Sequence, residues 1–168
     1  MSKSASQDKP ARTIEAAVVR LLTERRQTLA LAESCTGGFI ANQITNVPGA
    51  SKMFLGGMVA YRNGVKEKFL GVRSGTLKKH GAVSELVARE MAVGARKKFG
   101  ADFSVAVTGI AGPGGGTKAK PVGTVFISVA GAFGTVVERK FNSFGREKFK
   151  AVTARQALEM LRARLVSA

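Results

Sequence analysis

The stretch Leu29-Ala30-Leu31-Ala32-Glu33-Ser34-Cys35-Thr36-Gly37-Gly38 constrains this chain more than any other. From 28 to 32 the run has no polar interruption, the pattern of a short strand covered on both faces, so layers must pack on either side of it. Immediately afterwards come a carboxyl, two hydroxyls flanking a thiol, and a glycine pair. Thr36 is the expected cap of a helix whose first turn holds Gly37 and Gly38, and which runs through Phe39, Ile40 and Ile44 to a stop at 46–51. Strand, tight turn and helix in this order place the chain among α/β proteins.

The remaining pattern agrees. Ile14, Ala17, Val18, Leu21 and Leu22 form an amphipathic stripe that predicts a helix from 14 to about 26. A second strand is expected over 53–61, a short helix over 64–71, and a connector over 74–83 with one helical turn. Ser84 caps a helix to Phe99, with Gly100 as its stop. Strands follow at 103–108 and 122–130, then a turn at 131–134 into an antiparallel strand over 135–141, and a closing helix over 146–166. The spacing leaves strand order open. With 168 residues, 45% of them hydrophobic, the expectation is one domain over 12–168, a mixed β-sheet packed between helical layers, preceded by a polar, disordered tail at 1–11.

Composition narrows the function. One cysteine permits no internal disulfide, and the single histidine, His80, joins no Cys/His cluster, so no metal site is expected. No run reaches the roughly 18 apolar residues of a membrane span, and the polar start lacks an export signal, which suggests the cytoplasm and no membrane partner. The net charge of +16 raises nucleic acid as a partner. The basic residues are scattered in pairs and triples, however, and with no Trp and one Tyr there is little to stack on bases. A solvated basic surface that attracts a phosphorylated small molecule is the favoured reading.

The loop from Thr108 to Pro121 is the other unusual segment. It fits neither dinucleotide motif nor P-loop, because Thr117 stands where the third glycine belongs and Gly115-Gly116 where lysine and a hydroxyl belong. A glycine-rich loop at the carboxyl end of a strand still offers backbone N–H groups to an anion. Ser34 has the setting of an exposed nucleophile, with amides of Cys35, Thr36, Gly37 and Gly38 near enough to meet an oxyanion; it can equally be a turn residue. Cys35 is the rival nucleophile, although alternation points it away from Ser34. Without a histidine to spare, the base would be a lysine whose pKa falls from about 10.4 to near neutrality. Lys66 comes first, because it follows the strand ending at Tyr61.

Five ordered blocks, "AESCTGG", "NVPGAS", "FLGGMVAYRNGVKEKFLGV", "HGAVSELVAREMA" and "AVTGIAGPGGGTKAKPVGTV", resemble the CinA C-terminal domain family, in its stand-alone form. The resemblance spans about 12–165. It implies a nicotinamide-nucleotide amidase, with nicotinamide mononucleotide as substrate, no cofactor and no metal, and self-association into a homo-oligomer. It also implies Ser34, Lys66 and Tyr61 as catalytic residues. Asn63, Thr108, Gly109, Ala111, Gly112, Gly114, Gly115 and Arg146 would hold the nucleotide. Gly145 and Lys150 depart from the family pattern, which reads aspartate and arginine there. A nucleotide-binding module without turnover, or a basic DNA-associated protein, are the other classes compatible with these residues.

Overall fold

The computed structural model describes residues 13–167; the expected polar tail at 1–11 lies outside them. In chain order the elements are α1 (Ile14–Glu24), β1 (Leu29–Glu33), α2 (Phe39–Thr45), a 3-10 turn (Ala50–Lys52), β2 (Phe54–Val59), α3 (Asn63–Leu70), α4 (Ser74–His80), α5 (Glu85–Phe99), β3 (Phe103–Gly109), β4 (Thr124–Gly131), β5 (Gly134–Phe141) and α6 (Arg146–Ser167). The sheet order is β2-β1-β3-β4-β5. β1 pairs in parallel with β2 and β3, and the β3-β4-β5 side is antiparallel, so the sheet is mixed as expected.

Side-chain size decides which helices cover which face. Leu29, Leu31, Val105 and Val107 point into a large core with α1, α2 and α6. The alternate positions carry Ala32, Ala106 and Ala130, which pack with Val87, Met91 and Ala95 of α5. Alanine on that face lets α5 lie close to the sheet. All five residues of β1 are buried, which is why its sequence shows no alternation of polarity.

Helix ends follow local chemistry with two departures. The Thr13 and Ser84 hydroxyls accept from the amides of Ala16 and Val87, as N-caps should. Thr36 does not cap α2: the helix starts at Phe39 behind Gly38, whose φ is 94°, and no side chain at that position bonds the helix. The connector expected over 74–83 contains a two-turn helix, α4, which its basic residues Lys78, Lys79 and His80 disguise. These three sit in the last turn of α4, and Arg96, Lys97 and Lys98 in the last turn of α5, where cations meet the negative end of the helix dipole. Part of the +16 charge is thus spread over helix ends. Among the described residues no helix is long and apolar enough to cross a membrane.

Gly94 on α5 marks the closest approach of the second layer. A Cβ there would run into the backbone carbonyl of Leu70 at the end of α3, and the carbonyl cannot swing aside without moving the helix. Gly94→Ala is therefore expected to destabilise the domain by about 1–3 kcal/mol, read as a lower midpoint in urea unfolding with an unchanged slope. A native midpoint would mean that α3 and α5 separate freely.

Candidate active site

β1 hands the chain to the site in register. The amide of Ser34 donates to Val107 O at 3.1 Å, prolonging the β1–β3 pairing by one residue, and the amide of Gly37 donates back to Ser34 O at 3.1 Å. Period-two alternation puts Glu33 on the α2 face with Leu29 and Leu31, and Ser34 on the opposite face, toward α3 and α5. Cys35 turns back into the core of α2 and α6, as alternation predicts.

Facing Ser34 stands Lys66, from the middle of α3. Its side chain is almost wholly enclosed, with the residue 1% exposed. Nζ lies 3.1 Å from Ser34 Oγ, 2.7 Å from Ala60 O and 2.9 Å from Tyr61 O. No carboxylate is among these partners. Burial pulls the Lys66 pKa below the ordinary lysine value, and Cys35 opposes this weakly. A neutral amine has two N–H groups and one lone pair. Protonated, Lys66 donates to all three oxygens; in the neutral form, with its two N–H groups on the carbonyls of 60 and 61, the lone pair is left to accept the Ser34 hydroxyl proton.

The pair opens on a cavity of about 270 Å³. The structure brings Ser34, Cys35, Tyr61, Lys66, Thr108, Gly109, Ala111, Gly112, Gly114, Gly115 and Arg146 to its wall, together with Ala82, Val83 and Ile110. Arg146, at the start of α6, bridges the two banks: Nη1 donates to Gly112 O at 2.9 Å and Nη2 to Tyr61 Oη at 2.6 Å. The hydroxyl of Tyr61 therefore faces Arg146, while its carbonyl faces Lys66. Gly112 has a φ of 80°, and a Cβ on it would lie 2.6 Å from Val122, so the bend of the loop at this point requires glycine.

Four expected residues are not at the cavity wall. Thr36 is fully enclosed, and its hydroxyl has no hydrogen-bond partner among the described residues. Gly37 is exposed and Asn63 lies exposed at the start of α3. The Gly38 amide donates to a Glu33 carboxylate oxygen at 3.1 Å. Of the four turn amides, Gly37 and Gly38 are thus engaged, whereas those of Cys35 and Thr36 have no acceptor among the described residues. Of the four turn residues Cys35 alone lines the cavity, so its amide is the candidate donor to an oxyanion there. Sequence reading missed Ala82 and Val83, which reach the wall from the α4–α5 connection through the Thr108 hydroxyl bonded to Ala82 O at 2.8 Å; the block "HGAVSE" was their only signal.

Cys35 touches the same cavity, but burial, with help from Glu33, pushes its thiol up to about 12. It stays protonated at neutral pH and is a poor nucleophile there. His80 is outside the cavity wall; its backbone carbonyl accepts from Lys120 Nζ at 2.6 Å, which ties α4 to the glycine-rich loop.

Fold and site together define a three-layer α/β domain with a serine–lysine pair at the tip of its central parallel strand. Residues 11–165 match the CinA C-terminal domain, and the chain belongs to this family. It is 52% identical over 150 residues to a "CinA-like protein" of Thermotoga sp. (strain RQ2), a match covering 89% of this chain and 36% of that protein. A "CinA-like protein" of Geobacter sulfurreducens is 51% identical over 156 residues, covering 93% and 38%. This chain thus spans little more than a third of the length of these relatives. Among solved structures, the competence/damage inducible protein CihA from Agrobacterium tumefaciens superposes with a TM-score of 0.86 at 41% identity, covering 89% of this chain and 94% of that one. A CinA superfamily protein from Escherichia coli gives 0.84 at 34% identity, covering 94% of each.

A buried lysine with a lowered pKa leaves a thermodynamic signature. The unfolded chain protonates Lys66 up to its ordinary pKa, whereas the folded chain releases that proton at lower pH. Between the two values the unfolded state binds more protons, so this residue makes stability rise with pH. Below the folded value its penalty is complete. Replacing it by methionine removes the titration, so the stability of Lys66→Met relative to native, measured by urea unfolding, should improve as pH falls below the ordinary lysine value and level off below the folded one. A pH-independent difference would mean that the folded amine titrates as an ordinary lysine.

Proposed function

We propose that this domain is a nicotinamide-nucleotide amidase, hydrolysing the carboxamide of nicotinamide mononucleotide to nicotinate mononucleotide and ammonia. The observation that carries the reading is the desolvated Lys66 amine 3.1 Å from the Ser34 hydroxyl, at the mouth of a cavity rimmed by glycine backbone and a guanidinium. Family membership supports it through the resemblance of the five sequence blocks to amidase members.

The chemistry follows from these groups. Ser34 Oγ attacks the amide carbon while Lys66 Nζ takes its proton. The amide of Cys35, a residue of the cavity wall, donates to the resulting oxyanion. Protonated Lys66 then delivers the proton to the departing nitrogen, the C–N bond breaks, and ammonia leaves an ester on Ser34. Water attacks the ester, its proton passing to Lys66 and from there to Ser34 Oγ as the acid departs. Lys66 cycles through one proton in each half, and the carbonyls of Ala60 and Tyr61 fix it in place throughout. Free N–H groups of Arg146 and the glycine amides of residues 112 and 114–116 are the donors for the phosphate. Every step uses water and groups of this chain.

Ammonia release from nicotinamide mononucleotide tests the reading directly. The native protein should release ammonia, Ser34→Ala should release none while keeping its circular dichroism, and Lys66→Met should lose on the order of 100-fold or more in turnover. Because the base must be neutral, kcat should rise with pH on an acid limb lying below the ordinary lysine pKa. A fully active Ser34→Ala protein would remove the serine from its role. Binding of the mononucleotide without ammonia would reduce the domain to a nucleotide-binding module.

A further inference from the structure

Glu33 is the one acidic side chain fully enclosed beside the Ser34 turn, 1% exposed, and the steps above do not use it. It has no cationic partner within salt-bridge distance among the described residues. Its carboxylate instead accepts three backbone amides of the segment that follows the turn: Gly38 at 3.1 Å and Ile40 at 3.1 Å on Oε2, and Ala41 at 2.8 Å on Oε1. A carboxylate in low dielectric is tolerable only when such donors surround it.

We infer that Glu33 is a positioning residue which holds the Ser34–Gly37 turn in the conformation that sets the Ser34 hydroxyl against Lys66 and keeps the Cys35 amide at the cavity wall for the oxyanion. The geometry gives the reason. An ordinary N-cap acts from the residue that begins the helix, but here the cap comes from the end of the preceding strand, five to eight residues earlier. The bond from Glu33 to Gly38 therefore closes a loop containing only residues 34 to 37, and the Gly37–Ser34 bond tightens it from within. Were the first amides of α2 left without Glu33, residues nearer to them would have to turn inward to satisfy them, and Ser34 and the Cys35 amide would lose their place at the cavity.

The backbone of the same residue reaches the base. Glu33 O accepts the amide of Ala60 at 2.8 Å, and Ala60 O in turn accepts from Lys66 Nζ at 2.7 Å. One residue thus fixes the oxyanion side of the turn with its side chain and the amine side with its carbonyl. Its negative charge is directed at helix amides, where a helix start favours it, and away from an amine that must give up its own charge. The charge-neutral glutamine has one acceptor oxygen and an NH2 group that would face amide donors, so it cannot replace this arrangement.

The kinetic part of this inference rests on the amidase reading, and amide exchange does not. The test compares native protein with Glu33→Gln by NMR hydrogen exchange and by ammonia release from nicotinamide mononucleotide, normalised to the folded fraction. Exchange at Ile40 and Ala41 should quicken by about tenfold or more. Turnover should fall on the order of 100-fold, KM should stay within about threefold, and the acid limb of kcat should keep its position because Lys66 is untouched. Unchanged exchange at both amides, or a folded variant with kcat within about threefold of native, overturns the inference. If native protein releases no ammonia the amidase reading fails by itself, and the exchange result alone then upholds or overturns the role of Glu33. Should Glu33→Gln not fold, Glu33→Asp is read by the same two measurements. Its carboxylate is one methylene short of the three amides, so native exchange and native kcat there would be equally fatal.

Discussion

The desolvation of one amine organises the site. A lysine on a helix of eight residues would ordinarily extend its Nζ into water, and α3 is otherwise an exposed, polar helix that buries only Lys66 and Leu70. Nζ is directed inward because the chain leaves β2 with the carbonyls of Ala60 and Tyr61 facing the helix it is about to form. These two acceptors compensate the loss of water without supplying a negative charge, which is the combination that favours a neutral amine. An aspartate or glutamate in their place would have held the amine as an ammonium ion. The close packing of α3 on α5 through Gly94, and the alanine face of the sheet beneath α5, keep the enclosure shut.

What the chain reveals before folding depends on the range of the interaction. β1 was legible because an uninterrupted apolar run admits few other structures, and α5 because a serine cap and a glycine stop flank a single apolar stripe. α4 was not, since Lys78, Lys79 and His80 mask a helix that buries only Thr76 and Leu77. The mistaken cap at Thr36 has the same origin. Capping rules look one to three residues along the chain, and Glu33 acts across the whole turn from a strand. Residues 34, 66, 61 and 146 could be nominated from chemistry and resemblance, yet their convergence is a product of strand order, which spacing alone left open. Ala82 and Val83 carry no reactive group, so only tertiary structure could place them at the wall.

Thr36 shows the cost of the arrangement. Its hydroxyl is enclosed and has no hydrogen-bond partner among the described residues, an expense that a folded protein normally avoids. It lies between the serine and the glycine pair, in a turn whose backbone is held from Val107 on one side and from Glu33 on the other. A residue that satisfied itself locally, as a cap for α2, would have drawn the turn toward the helix. The hydroxyl left without a partner among the described residues is consistent with a turn fixed from outside rather than by its own side chains.

Charge separation completes the argument. The site contains a buried carboxylate one residue away from a serine whose partner is an amine, and the obvious pairing of the two ionisable groups would produce an inert salt bridge. The strand prevents it. Consecutive residues of β1 point to opposite faces, so Glu33 enters the α2 side and finds backbone amides, while Ser34 enters the α3 side and finds Lys66. The sheet itself stands between the carboxylate and the amine, and the two-residue period of a β-strand, extended by one residue through the Ser34–Val107 bond, is what permits both to be buried so close together without pairing.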